Sequence, residues 1–224
     1  MKASNMIKKM SSRILTAVMA VSLAMPLQVC ARTLDDNPAG ETVSIGAGDT
    51  MINNWGSISS NQGTLQNNAG IVTSNSGTID NNYGRIINNA GGSVGINHTG
   101  GYVNTSTSAS GGTVADNYGN VSNAIVENNY ASGTVTGDGS EIDYNWGRAT
   151  NVHLVVYNCG TVTTNNDPER FVEVNYARGF VDGVEGEGEG PVAENPTDPN
   201  PNAPVQPEIS EENPFVTMIK TEIC

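Results

Sequence analysis

An all-β fold, a parallel β-solenoid of seven-residue strand-turn units, is predicted for the body of this chain by three observations. A pattern N-x-G-x-Φ-x-x, with Φ apolar, recurs from Asn54 onward in one fixed frame. The Φ positions are mostly β-branched, which favours strands. The polar positions are Asn and Gly, which favour turns.

The frame is countable. The run Asn54-Trp55-Gly56-Ser57-Ile58 repeats seven residues on as Asn61-Gln62-Gly63-Thr64-Leu65, and again from Asn68, Asn75 and Asn82. Of fourteen Gly positions between 56 and 147, ten hold Gly: 56, 63, 70, 77, 84, 91, 112, 119, 133 and 147. Two residues later ten of the fourteen are apolar, namely Ile58, Leu65, Val72, Ile79, Ile86, Val114, Val121, Val135, Ile142 and Ala149. Two residues earlier eight are Asn. The frame reappears in register beyond a degenerate stretch at 93–111, so the spacing predicts a stack without insertions. A coiled coil shares the period but needs two apolar positions per heptad and good helix formers, and this chain supplies neither. Disorder has no reason to keep an apolar residue in frame.

One inward residue per heptad buries nothing alone. Coils stacked at about 4.8 Å turn it into a continuous apolar column, and aligned Asn side chains can bond along the stack as a ladder. Gly is expected at positive φ in each turn. Fourteen residues per coil, two unlike faces, is one expectation; a triangular coil of twenty-one is the other.

In chain order, Met1–Ala31 reads as a signal peptide. Lys2, Lys8, Lys9 and Arg13 precede the apolar run Ile14–Met25, Pro26 breaks that run, and Val29-Cys30-Ala31 supplies small residues for cleavage. The apolar run is too short to span a bilayer. A lipidated Cys30 is disfavoured by Val29 directly before it. Residues 32–51 are expected to hold an N-terminal capping strand at Thr42-Val43-Ser44-Ile45. Residues 52–182 form the repeat, with a second cap at Phe171–Val174, Phe180 and Val181. Residues 183–224, rich in Gly/Glu and then Pro/Asn/Asp, read as an acidic disordered tail.

The chain carries 10 Lys+Arg against 23 Asp+Glu, a formal charge of −13. Loss of the signal removes four positives and no acid, which leaves 6 against 23. That balance excludes nucleic acid, whose phosphates require a basic surface. No integral membrane segment is expected after cleavage. Cys159 and Cys224 remain, as a disulfide or as two thiols.

Chemistry is sparse. His98 and His153 are single and read as surface residues, because neither has a second ligand at metal spacing. The acidic run Asp138–Asp143 lacks the alternation of a calcium loop. No cofactor and no catalysis are expected. The enzymatic alternative is a polysaccharide lyase in which Glu141, Asp143 and Arg148 converge. Between Asn and Gly the chain places Trp55, Tyr83, Tyr118 and Trp146, which either shield turns or form an aromatic column for sugars. At the grid position that follows the Gly position stand Ser57, Thr64, Thr78, Thr99, Ser106, Thr113 and Thr134. Such a column resembles that of grass ice-recrystallisation inhibitors in period, though Φ and Gly stand in reversed order. Over residues 52–166 the N-x-G-T-Φ units resemble the repeats of bacterial secreted and surface β-solenoids, such as adhesins and autotransporter passengers. The resemblance implies a secreted or cell-surface structural or adhesive role. Its partner would be an extracellular polysaccharide or a cell-surface component.

Overall fold

The computed structural model describes residues 31–105, 111–165, 167, 170–188, 198–199 and 202–206. Residues 1–30 of the expected signal peptide, Ser106, Cys224 and most of the expected disordered tail lie outside them. The described chain winds into ten two-stranded coils. The first four pair β1 (Thr33–Leu34) with β2 (Thr42–Ile45), β3 (Thr50–Asn54) with β4 (Ser57–Asn61), β5 (Thr64–Asn68) with β6 (Ile71–Ser74), and β7 (Thr78–Asn82) with β8 (Arg85–Asn88). Then come β9 (Ser93–Asn97) and β10 (Tyr102–Asn104), β11 (Thr113–Asn117) and β12 (Asn120–Ser122), and β13 (Ile125–Asn129) and β14 (Thr134–Thr136). The last three coils are β15 (Glu141–Asn145) and β16 (Arg148–Thr150), β17 (Leu154–Asn158) and β18 (Thr161–Thr163), and β19 (Phe171–Asn175) and β20 (Phe180–Val181). The short β21 (Val184–Glu185) follows.

Odd strands β1–β19 stack in parallel as one sheet, and even strands β2–β20 as the other. The two-faced coil is the observed one. Thr50 pairs with Thr64 and Thr64 with Thr78, one coil per two heptads. The inward apolar residues meet between the sheets: Met51, Leu65, Ile79, Val94, Val114, Val126, Ile142 and Val155 from one side, Ile58, Val72, Ile86, Val103, Val121, Val135, Ala149 and Val162 from the other. All sixteen are buried. This slender core is one side chain wide on each face, and it is extended by burying Asn.

Asn37, Asn54, Asn68, Asn82, Asn97, Asn117, Asn129, Asn145, Asn158 and Asn175 close the odd strands at what we term the first corner. Each Nδ2 donates to the Oδ1 of the next, at 2.7–2.8 Å, through all ten coils. Asn suits the position because its amide both donates and accepts. The second capacities are also used. Oδ1 of Asn117 and of Asn158 accepts from the backbone N–H of the Gly two residues on, and Nδ2 of Asn97 reaches the Asn120 carbonyl. Asn-x-Gly is thus a turn and a ladder rung at once. A half-buried companion ladder runs the opposite way, from Asn81 to Asn67 to Asn53.

The repeat glycines differ from expectation. Gly56, Gly63, Gly70, Gly77 and Gly84 do not have positive φ. A Cβ on Gly70 would instead strike the carbonyl oxygen of Gly56 in the coil below, and one on Gly84 that of Gly70. Glycine is present because neighbouring turns nest backbone on backbone. Gly91 does adopt φ +75°, beside an inserted residue.

Insertions, expected to be absent, occur at the corners. Successive rungs of the Asn ladder are 14 residues apart early on, then 20 from Asn97 to Asn117 and 12 from Asn117 to Asn129. Register requires only that the strands align, so turns absorb the difference.

The second corner, at the ends of the even strands, is less regular. Asn61, Asn75 and Asn89 form a three-rung ladder that ends with Nδ2 of Asn89 buried without a partner. Later coils turn here through left-handed Asn123, Gly137, Asn151 and Asn165.

The strands expected as caps pair into the ends of the stack: β2 with β4, across an irregularity at Val43/Ser44, β19 with β17, and β20 with β18. Coil formation therefore begins at Thr33, ahead of residue 52. The C-terminal closure is β21, which folds back antiparallel on β20. Glu187 N–H then bonds the Asn175 carbonyl, so the chain crosses the end of the ladder.

Candidate functional site

Each first-corner Asn is followed by the residue that crosses the edge of the rod. Because insertions fall beyond these positions, Trp55, Ala69, Tyr83, His98, Tyr118, Tyr130, Trp146, Cys159 and Tyr176 occupy equivalent places in successive coils. All four aromatic residues expected to form a column, Trp55, Tyr83, Tyr118 and Trp146, stand on this one corner. Tyr130, Tyr144, Tyr157, Tyr176 and His98 join them. Tyr130 falls off the seven-residue grid because its coil is two residues short, and Tyr176 because its coil is longer, so only the ladder Asn before each could have marked them. Tyr144 and Tyr157 lie one position before the ladder Asn, on the strands themselves.

The rings stack face to face. Tyr118 lies 4.6 Å from Tyr130, Tyr130 lies 5.6 Å from Trp146, and Tyr144 bridges Trp146 to Tyr157 at 5.7 and 4.9 Å. Interplanar angles along this run are 7–23°. Stacked rings cover one another's faces and present edges to solvent, which favours their contribution to cohesion of the rod. Tyr118 is buried. Burial pushes the phenols of Tyr118 and Tyr130 well above the ordinary tyrosine range, and Asp116 beside them adds to the effect.

At Tyr83 the corner changes character. His98, expected at the surface, is fully buried. Its ring lies flat on Tyr83 with centroids 4.1 Å apart. Nδ1 meets Oδ1 of Asp198 at 2.6 Å, and Nε2 meets Oδ1 of Asn81 at 3.1 Å. Nδ2 of Asn81 is already committed to Asn67 and the Gln66 carbonyl. Both ring nitrogens therefore face side-chain oxygens. The other oxygen of Asp198 accepts from the Thr99 backbone N–H at 2.8 Å. Three coils below, Nε1 of Trp55 donates to the carbonyl of Pro204 at 2.8 Å. Two described pieces of the C-terminal region, 198–199 and 202–206, thus lie against the aromatic corner.

The lyase constellation does not assemble. Glu141 and Asp143 face outward from β15 in one sheet, whereas Arg148 faces outward from β16 in the other. Strand alternation and the two-sheet coil put them on opposite sides of the rod. The Ser/Thr column splits for the same reason. Ser57 and Thr134 lie on the even sheet, while Thr64, Thr78 and Thr113 lie on the odd one. The run Asp138–Asp143 is a turn entering β15, with Asp138 paired to Arg170 and Oγ of Ser140 donating to the Thr136 carbonyl. His153 is exposed and lies edge-on to Phe171. Cys159 is a free thiol whose pKa burial raises. Among the described residues no group of three His, Cys, Asp or Glu could hold a metal ion.

On the odd sheet's outer face, Gly95 and Ala115 floor an open depression of about 460 Å³ flanked by Asp80, Glu127 and Asp143. Among the described residues no helix is long and apolar enough to cross a membrane. The chain matches no protein-family model, no curated protein and no solved structure.

Proposed function

We propose that the protein is an exported, non-catalytic repeat rod with a structural or adhesive role outside the cell, of the kind the bacterial surface solenoids exemplify. The observation that carries this reading is the unbroken nine-bond Asn ladder. Inward positions on both sheets are spent on cohesion, and the ring stack along one edge adds to it. Such a rod, about 45 Å long at 4.8 Å per coil, holds its ends apart and displays two flat faces. The acidic outer surface and the signal-like N-terminus fit export.

Co-sedimentation of the chain from residue 32 onward with peptidoglycan, cellulose, chitin, mucin and ice tests the role. Salt-resistant pelleting with one solid identifies an adhesive rod, and a chain that stays in solution with all of them is a spacer. Turnover of a polyuronide that is lost in Asp143→Asn would overturn the non-catalytic reading. A second reading, a sugar site on the aromatic corner, draws on the Tyr118–Tyr130–Trp146 run. Trp146→Ala would then abolish pelleting with a glycan while the strand signal in circular dichroism persists.

A further inference from the structure

The first-corner surface between Trp55 and His98 has the chemistry of a peptide-recognition groove. Its walls are aromatic, with the indole of Trp55 at one end and the Tyr83–His98 stack at the other. It offers donors in two places. His98 Nδ1 and Thr99 N–H take the two oxygens of one carboxylate, and the Trp55 indole N–H takes a backbone carbonyl. Aromatic-lined grooves that hold proline-rich segments combine stacked rings with a donor to a main-chain carbonyl, because a polyproline-type strand leaves its carbonyls unbonded and loses little entropy on docking.

The spacing fits as well. Trp55 and His98 are three coils apart, about 14 Å at 4.8 Å per coil. The six residues from Asp198 to Pro204 span up to about 19 Å at 3.1 Å each, so an extended segment reaches with a little slack. The sequence from 195 to 204, Asn-Pro-Thr-Asp-Pro-Asn-Pro-Asn-Ala-Pro, is the most proline-dense stretch of the chain. The ten residues from Gly188 to Asp198 can cover about 33 Å, more than the five coils of about 24 Å from Tyr176 back to His98. Occupation by the chain's own tail is therefore within reach.

We propose that Trp55, Tyr83, His98 and Thr99 form a receptor for a proline-rich segment that carries a carboxylate, and that the two described pieces Asp198–Pro199 and Asn202–Gln206 are its ligand in the same molecule. The carboxylate of Asp198 is the anchor, with its side chain 6 % exposed against a His98 side chain at 0 %. The Pro204 carbonyl sets the direction in which the segment runs along the rod. This assignment is independent of the adhesive reading. It concerns coils two to five, and leaves the Tyr118–Trp146 run to the test given above.

The test uses the full-length chain. The two tryptophans give two indole N–H signals in a nitrogen-15 spectrum, and Trp146 serves as an internal control for the fold. In the parent chain the Trp55 indole proton, bonded to the Pro204 carbonyl, is expected to exchange slowly. Asp198→Ala, which alters only the tail, is expected to accelerate that exchange at least tenfold and to leave Trp146 unchanged. A synthetic peptide spanning residues 195–206, added to the Asp198→Ala chain, is expected to restore the parent Trp55 signal saturably. The same peptide carrying Asp198→Ala is expected to bind at least tenfold more weakly. Identical Trp55 exchange in parent and variant chains, or a wild-type peptide that leaves the signal unmoved, would overturn the proposal. His98→Gln adds a receptor-side variant. Loss of peptide binding with Trp146 unshifted supports the site, and undiminished binding removes His98 from it.

Discussion

Nδ2 of Asn97 donates to Oδ1 of Asn117 at 2.8 Å across twenty residues of chain, the same length as the bond from Asn68 to Asn82 across fourteen. The ladder is thus conserved in space where the spacing in sequence is not. An insertion that displaced the Asn would leave a buried amide unpaired, so inserted residues are confined to the corners beyond it.

Asn117→Ala would remove the acceptor for Asn97, the donor for Asn129 and the acceptor for the Gly119 N–H in one step. Buried groups left unpaired cost about 1–3 kcal/mol each, so a loss of about 2–4 kcal/mol is expected after partial rebonding. Asn67→Ala, in the half-buried companion ladder, should cost under about 1 kcal/mol. Urea unfolding followed by circular dichroism compares the two. Equal midpoints would show that burial of the rung is irrelevant.

Gly70→Ala places a methyl group against the Gly56 carbonyl oxygen, a backbone atom that cannot swing aside. A loss of about 3 kcal/mol is expected. Gly40→Ala meets no atom but sits at φ +89° and should cost only the left-handed penalty of about 1–2 kcal/mol. Thermal unfolding of the pair distinguishes nesting from backbone conformation as the reason for the repeat Gly.

Tyr118 and Tyr130 ionise above the ordinary tyrosine value of 10.0 because burial disfavours the phenolate. The unfolded chain therefore loses these protons first as pH rises. Their contribution to stability is complete below pH 10 and declines as pH climbs towards the folded values. Burial raises Tyr83 in the same direction, so ultraviolet phenolate titration should show three late-ionising tyrosines, and Tyr118→Phe should remove one of them.

At the other end of the scale, the Arg32 guanidinium holds the Asp49 carboxyl below its ordinary 3.8. The folded state then keeps the carboxylate at pH values where the unfolded chain has protonated it. That stabilisation is present above 3.8 and is lost as pH falls through the folded value. Asp49→Asn should flatten the acid limb of a stability-pH profile without changing the alkaline limb.

Much of this architecture was legible in the sequence because a rod of stacked coils writes its cross-section repeatedly into the chain. Ile58, Leu65, Val72 and Ile79 announced the core by period alone, and Asn54 to Asn82 announced the ladder. What the period could not convey was the reason for each choice. Gly70 looks like a turn glycine until the coil beneath it is in place. Tyr130 and Tyr176 were hidden because a shortened coil and a lengthened one shift them off the grid while the corner keeps them in line. His98 was illegible for a different reason: its partner lies 100 residues away in a segment whose composition reads as disordered. Long-range ion pairs leave no periodic trace.

The direction of the Asn ladder has an electrical consequence. All nine Nδ2–H bonds point toward the C-terminal coil, so nine side-chain amide dipoles add along one axis instead of cancelling as strand dipoles do. The rod has unlike poles, much as a helix does. Its negative pole is Oδ1 of Asn37, buried with no donor to meet it. Its positive pole is Nδ2 of Asn175, which faces the Val184 carbonyl in a crossing segment that carries Glu185 and Glu187. Acidic residues thus stand in the segment that crosses the positive pole, while among the described residues the first coil keeps an open acceptor.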